Sequence, residues 1–178
     1  MGCGASSAAA DPAGGAVKPR NVPTDKPPMG EKDMFGFHSK VRWCSDKEDD
    51  GRGGPAQLAK VQADVDFHGT SATTAKDPKN GNFAIHIAAQ NGHCNALKLL
   101  LASGSDVNAQ NNNGVTALHM TVEYKADECT ELLLANKADP DVANGGGHKA
   151  ITGIDGEKTY TKKRTEPPRY VQGTAHGA

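Results

Sequence analysis

The chain has 178 residues with a formal net charge of −1, and hydrophobic and aromatic residues make up only 36% and 4% of it. This composition suits a small core with flexible ends and excludes one large core. The charge is uneven, since residues 46–152 hold fourteen acidic and nine basic side chains while both ends are basic. The acidic central part argues against nucleic acid as a partner, and no apolar run approaches the length that spans a membrane.

The N-terminal segment, residues 1–33, consists mainly of Gly, Ala, Pro, Ser and Lys. It has too few large apolar side chains to offset the entropy lost on ordering, so we predict a disordered tail. Its start, MGCGAS, satisfies the N-myristoylation pattern with Gly2 as the acceptor, and Cys3 suits S-palmitoylation. Two lipids would anchor the chain stably, whereas one lipid is marginal. The alternative is a flexible tail that matches the pattern by chance.

Residues 34–54 combine an aromatic cluster with a charged linker. Phe35, Phe37 and Trp43 fall close together, and acidic and glycine residues follow them. We predict a strap packed on the end of the next domain, because exposed Phe and Trp side chains favour unwanted association. A short docking motif is the alternative.

Residues 55–154 contain an internal repeat of 33 residues. Glycines at 81, 114 and 147 open the similar blocks GNFAIH, GVTALH and GHKAIT, and the first two blocks are each followed by Leu-Leu-Leu and an acidic turn. Within the first repeat, Ile85, Ala88 and Ala89 lie on one face of a short helix. Leu97, Leu100 and Leu101 have the same spacing and predict a second amphipathic helix.

This pattern resembles the ankyrin repeat, whose period is 33 residues and whose signature is T-P-L-H-x-A. The resemblance implies an all-α fold, a short solenoid of two full repeats with a partial repeat at each end. It implies an inner helix at 83–90, an outer helix at 94–102 and a finger-like turn at 105–114. An insertion makes residues 67–80 one long finger. The C-terminal residues 155–178 are polar and basic, and we predict a second disordered tail.

The second repeat departs from the first at two glycines. Gly92 is replaced by Lys125, and Gly104 is replaced by Lys137. If these positions keep a left-handed backbone, each lysine costs roughly 1–2 kcal/mol. We therefore expect the second repeat to be strained or locally rearranged.

The histidines and cysteines carry no recognised metal or catalytic pattern. His86 and His119 stand in the repeat signature, where the resemblance implies that the imidazole hydrogen-bonds the turn. His86, His93 and Cys94 lack a fourth ligand and a known spacing, so we predict no metal site. Cys94 and Cys129 fall on outer helices, where small buried thiols are ordinary. Without a CxxC motif or a secretory signal, we expect reduced thiols in a cytosolic chain.

The function implied by the resemblance is protein binding through the fingers and the inner-helix face. We predict no enzyme activity, no cofactor and no small-molecule substrate, because no phosphate loop or nucleophile motif is present. The predicted binding residues are Asn82, Gln90, Asn91, Gln110, Asn112, Asn113, Val115, Glu123, Tyr124 and His148. Tyr124 is the predicted anchor, and the long finger is the rival contact. The alternative is that these positions are merely solvated.

Taken with the N-terminal motif, these features predict a non-catalytic adaptor for an unidentified protein partner. We expect it at the cytosolic face of a membrane, with the plasma and flagellar membranes as candidates. The alternative is a soluble regulatory or scaffold subunit in the cytoplasm that carries no lipid.

Overall fold

The computed structural model describes residues 16–20, 28–44 and 54–161. Within these residues the chain is helical, and its one bridge between extended residues pairs Ala143 with Lys149. The predicted all-α fold is therefore confirmed. The helices are α1 (Glu31–Arg42), α2 (Gly54–His68), α3 (Thr70–Thr74), α4 (Ala84–Gln90), α5 (Cys94–Ala102), α6 (Ala117–Glu123), α7 (Asp127–Ala135) and a 3-10 helix (Ala150–Thr152).

The helices form a stack of pairs with an inner and an outer layer. In the inner layer, α4 lies between α1 and α6, and the 3-10 helix packs on α6. In the outer layer, α5 lies between α2 and α7. Within each pair, α1 contacts α2, α4 contacts α5, and α6 contacts α7. The stack thus holds three helix pairs, the number that repeat proteins of this kind generally need for stability.

The core lies between the two layers and follows the predicted apolar spacing. Ala88 and Ala89 are fully buried in α4, where their small side chains let α6 approach. Leu97 and Leu100 of α5 are also fully buried. The helices predicted at 83–90 and 94–102 agree with α4 and α5 to within one residue, because the local apolar period sets both faces.

Both lysines of the second repeat keep the backbone of the glycines that they replace. Lys125 has a φ of 57° where Gly92 has 68°, and Lys137 has a φ of 67° where Gly104 has 88°. The strain expected at these two positions is therefore present. The second repeat therefore keeps the backbone geometry of the first, although a positive φ is unfavourable for both lysines.

The N-terminal end of the stack differs from the predicted strap. The predicted tail and strap meet at residue 34, but α1 already begins at Glu31 and takes the inner position of a first helix pair. Its inward face is formed by Met34, Phe37, His38 and Val41. Acidic residues in its first turn and basic residues in its last turn complement the helix dipole. Of the clustered aromatics only Phe37 is buried, while Phe35 and Trp43 are 40% and 48% exposed.

The segment predicted as one long finger, residues 67–80, is partly helical. The helix α2 continues to His68, and α3 follows after a break at Gly69, whose φ is 63°. The helix α3 packs on α2 and α4. Much of the 67–80 segment is therefore helix that adds to the first helix pair. The finger itself is short and closes where the N–H of Asp77 donates to the carbonyl of Asn82.

The C-terminal end also differs, because the chain beyond the 3-10 helix packs on the last pair. The N–H of Ile154 donates to Oε2 of Glu123 at 3.1 Å, and Lys158 forms an ion pair with the same carboxylate. The hydroxyl of Tyr160 donates to Oε1 of Glu131 at 3.0 Å. Residues 155–161, assigned to the tail from sequence, thus cap α6 and α7. Residues 162–178 lie outside the described part.

A short N-terminal stretch, residues 16–20, lies across the C-terminal ends of two outer helices. The N–H of Arg20 donates to the carbonyl of Ala102 at the end of α5. The N–H of Val17 donates to Oδ1 of Asn136, directly after α7. Terminal carbonyls of helices lack partners within the helix, so this stretch satisfies part of that need.

Candidate functional site

Two buried histidines connect each inner helix to the next finger. Nδ1 of His86 accepts from the N–H of Phe83 at 3.2 Å, and Nε2 lies 3.0 Å from the carbonyl of Val115. His119 repeats this arrangement with the N–H of Thr116 at 3.1 Å and the carbonyl of His148 at 3.0 Å. Since Nδ1 accepts in both rings, Nε2 carries the proton and donates. The structural role predicted for both histidines is confirmed.

Burial keeps both of these imidazoles neutral near pH 7. Desolvation lowers the pKa of His86 to about 4, although its contacts with the Val115 and Ala109 carbonyls oppose the shift. Desolvation also lowers the pKa of His119. A neutral imidazole is required here, because the protonated ring cannot accept from a backbone N–H at Nδ1.

Hydrogen bonds between successive fingers form a continuous polar rim. The N–H of Asn112 donates to the carbonyl of Asn80 at 3.1 Å, and Nδ2 of Asn111 donates to Oδ1 of Asn82 at 2.8 Å. The N–H of Gly145 donates to the carbonyl of Asn113 at 2.7 Å. The fingers are therefore held in register by hydrogen bonds between their backbones and side chains.

Close approach explains one glycine of the rim. Gly81 has a φ of 73°, and a Cβ atom there would lie 2.2 Å from Oδ1 of Asn112. A side chain at this position would force the two fingers apart. The repeated glycine is thus required by packing between neighbouring repeats as well as by its own backbone.

Most predicted binding residues lie at the surface. The exposed ones are Gln90, Asn91, Gln110, Asn112, Asn113, Tyr124 and His148, and Asn82 is half-buried. Tyr124, which follows α6, is 53% exposed. We call these seven exposed residues the recognition face. Their role in binding stays a prediction.

Val115 and Glu123 are the predicted binding residues most committed to internal contacts, and the side chains of Asn82, Asn91 and Gln110 also hydrogen-bond within the chain. Val115 is only 5% exposed, because its side chain packs in the core while its carbonyl contacts His86. The carboxylate of Glu123 is engaged by Ile154 and Lys158. The 33-residue step of the sequence also predicts that Asn82, Val115 and His148 lie at successive finger tips. The turns instead lie two residues earlier, near Asn80, Asn113 and Gly146.

A cavity of about 310 Å³ opens beside Gln110 of the recognition face. It lies between α3, the start of α4 and the finger after α5, and it is lined by Thr73, Thr74, Phe83, Ile85, Asp106, Ala109 and Gln110. The ammonium of Lys76 lies 5.8 Å from the centre of the Phe83 ring. No sequence pattern predicts this cavity, because it depends on α3, which the repeat pattern does not predict.

The cysteines differ from the expectation of separate reduced thiols. Cys94 and Cys129 form a disulfide between α5 and α7. His93 lies with Nε2 3.0 Å from the carbonyl of Arg42 at the end of α1. His86, His93 and Cys94 therefore each have a different structural partner. In the described ranges, no group of three or more His, Cys, Asp or Glu side chains could hold a metal ion.

The predicted lipidation residues, Gly2 and Cys3, lie outside the described residues. Among the helices that the structure describes, none is both long enough and apolar enough to cross a bilayer. Lipidation therefore stays a prediction from the N-terminal sequence.

Comparison with known proteins agrees with the period and the stacking. A family model described as ankyrin repeats (three copies) matches residues 56–144, which is half of the chain. The search of curated proteins found none that matches this chain. The matched span runs from α2 to the finger that precedes the 3-10 helix, and it includes the two helix pairs held by His86 and His119. The chain therefore belongs to the ankyrin-repeat family.

Proposed function

We propose that this protein is a non-catalytic adaptor that binds a protein partner through the recognition face and the adjoining cavity. Ankyrin repeats are protein-interaction modules. The observation that carries the proposal is the rigid rim of exposed Asn and Gln side chains beside a cavity of about 310 Å³. The rim offers hydrogen bonds with defined directions, and the cavity offers space for a side chain of the partner.

The chemistry of this surface favours a folded or extended protein over nucleic acid. The recognition face contains amides, one phenol and one imidazole, without a cluster of cations. Phe83 and Ile85 give the cavity an apolar part, while Gln110 and Asp106 give it a polar edge. We expect a partner that places an apolar side chain in the cavity and polar groups along the rim.

Membrane tethering is the second part of the proposal. It rests on the N-terminal sequence MGCGAS, which offers Gly2 for myristoylation and Cys3 for palmitoylation. We propose localisation at the cytosolic face of a membrane. The alternative is a soluble regulatory or scaffold subunit with an unmodified N-terminus, and the intact mass of protein from the native cell separates these two.

Site-specific photo-crosslinking tests the binding surface directly. A photoreactive residue at Gln110 or Asn112 should capture a partner in cells, whereas one at Lys98 on α5 should not. Ala109→Trp, which fills the cavity, should abolish capture at Gln110 without unfolding the chain. Capture only from Lys98 would assign binding to the outer layer and contradict the proposal.

A further inference from the structure

The disulfide between Cys94 and Cys129 joins two neighbouring repeats on the outer side of the stack. Cys94 is the first residue of α5, Cys129 lies in the first turn of α7, and their Cα atoms are 5.1 Å apart. The 33-residue step aligns Cys94 with Asp127 and Cys129 with Ala96. Neither repeat carries both cysteines, so the pair exists only because the two repeats stack.

The position of the bond complements the contacts on the inner side. There, His86 and His119 connect successive repeats through hydrogen bonds to backbone carbonyls. On the outer side, the disulfide closes a sequence separation of 35 residues between α5 and α7. A crosslink of this span restricts the unfolded chain and holds the two outer helices in register.

The two cysteines differ in their exposure to solvent. Cys129 is fully buried, whereas Cys94 is half-buried at the start of its helix. Cys94 is therefore the cysteine of the pair that a small thiol can approach from solvent. Cys129, in the first turn of α7, lies where a helix N-terminus stabilises the thiolate that leaves when the bond is cleaved.

We propose that Cys94 and Cys129 form a redox site that exchanges with a low-molecular-weight thiol–disulfide couple of the glutathione class. In reduction, a small thiolate attacks Sγ of Cys94, and Cys129 leaves as a thiolate that takes up a proton. A second small thiolate then attacks the sulfur of the first and releases Cys94. The two protein sulfurs gain two electrons and two protons, and the two small thiols become one disulfide. Oxidation runs in reverse.

In the oxidised protein the disulfide joins the two repeats covalently, whereas in the reduced protein only non-covalent contacts hold them together. This inference is independent of the proposed partner and of lipidation. It also replaces the expectation of inert buried thiols, because a thiol that is partly exposed and adjacent to a second sulfur can exchange.

A redox titration of the folded 178-residue chain tests the proposal. The chain carries Cys3→Ala so that Cys44, Cys94 and Cys129 are its remaining cysteines. It is equilibrated with mixtures of reduced and oxidised glutathione, quenched with acid, denatured and alkylated. Intact mass should show one alkylated thiol at oxidising ratios and three at reducing ratios, and peptide mapping should find a Cys94–Cys129 crosslink.

Thermal melting gives the second readout. Oxidised protein should melt roughly 10 °C or more above reduced protein. Cys94→Ala should melt like the reduced protein and ignore the glutathione ratio, whereas Cys44→Ala should keep the response. The titration of the parent chain stands even if a variant fails to fold.

Four results would overturn the proposal. These are three alkylated thiols at every ratio, a bond that glutathione never reduces in the folded chain, a crosslink that involves Cys44, and a melting temperature that does not depend on the ratio. The first and third deny the bond, the second makes it a permanent crosslink, and the fourth denies its effect on the stack.

Discussion

His86 and Val115 lie 29 residues apart in sequence, yet Nε2 of His86 donates to the Val115 carbonyl at 3.0 Å. The bond connects the start of one inner helix to the end of the next finger. It requires the neutral ring, because Nδ1 accepts from the N–H of Phe83 at the same time. The stacking of these two repeats is therefore linked to the protonation of one imidazole.

Stability should fall as pH decreases from about 6.5 to about 4. Burial lowers the pKa of His86 to about 4 from its ordinary value of 6.5. In this window the unfolded state binds a proton that the folded state does not, so protonation favours unfolding. The pKa of His119 is also lowered, which acts in the same direction. Protonation of His86 alone should lower the free energy of unfolding by about 3 kcal/mol, and this decrease is complete below pH 4.

Urea unfolding at pH 7.0 and pH 5.0 measures this dependence while most carboxylates stay ionised. The control is His148→Gln, which removes an exposed imidazole but leaves His86 with both of its backbone contacts, so the part of the pH dependence that His86 carries should remain. His86→Gln should lose stability at pH 7 but respond less to pH. Equal pH dependence of wild type and His86→Gln would show that this ring does not carry the effect.

Lys137→Gly should stabilise the protein by about 0.5–1 kcal/mol. Lys137 has a φ of 67°, where a side chain is unfavourable and glycine is not. Gly104 is the matched position, and a Cβ atom there meets nothing within 4 Å. Gly104→Ala should therefore destabilise the protein by about 1 kcal/mol through its backbone alone. Chemical denaturation of both variants measures the two changes in unfolding free energy, which should have opposite signs. If neither variant changes this free energy, the backbone strain at Lys137 is disproved.

Leu100→Ala should cost about 2–5 kcal/mol of folding free energy, because it leaves a cavity between the two layers. Leu100 is fully buried in α5, whereas its neighbour Leu101 is partly exposed. Leu101→Ala is the control and should cost clearly less. Thermal and urea unfolding measure both values. Equal losses would mean that Leu100 does not pack at the interface between the layers.

Tyr124→Ala should weaken partner binding by the most among the recognition face, by about 2 kcal/mol or more if it is a hot spot. Its ring is 53% exposed in the unbound chain and can be buried by a partner while its hydroxyl stays hydrogen-bonded. Lys98→Ala on the outer layer should change affinity little. Titration of each variant against the partner that photo-crosslinking identifies measures both affinities. Lys79→Glu, in the turn of the 67–80 segment and outside the lining of the cavity, tests the rival site, and a loss confined to that variant would favour it.

Gly2→Ala should release the protein from membranes, because it removes the amine that accepts myristate. Cys3→Ser should leave a weak, exchanging association, since one myristoyl chain binds only marginally. Fractionation of cells that express each variant checks both outcomes. If Gly2→Ala sediments with membranes like wild type, another contact holds the protein there.

Apolar spacing predicts the two helices of the first repeat, and the 33-residue step with the resemblance to ankyrin repeats implies the same pair in the second. Each of them depends on contacts between near neighbours, such as the i, i+3, i+4 spacing of Ile85, Ala88 and Ala89. His86 of the signature likewise accepts a hydrogen bond from the N–H of Phe83, only three residues earlier in the chain. Such features recur wherever the local pattern recurs, which is why 33-residue periodicity locates them.

The ends of the stack and the pairing of side chains were decided only by tertiary structure. Whether α1 takes the first inner position, whether Glu123 faces a partner or Lys158, and whether Cys94 meets Cys129 each depend on residues far apart in sequence. Val115 was misplaced for the same reason, since its burial comes from the neighbouring repeat. Local patterns determine which segments become helices, whereas the relative position of repeats determines which side chains remain available for binding.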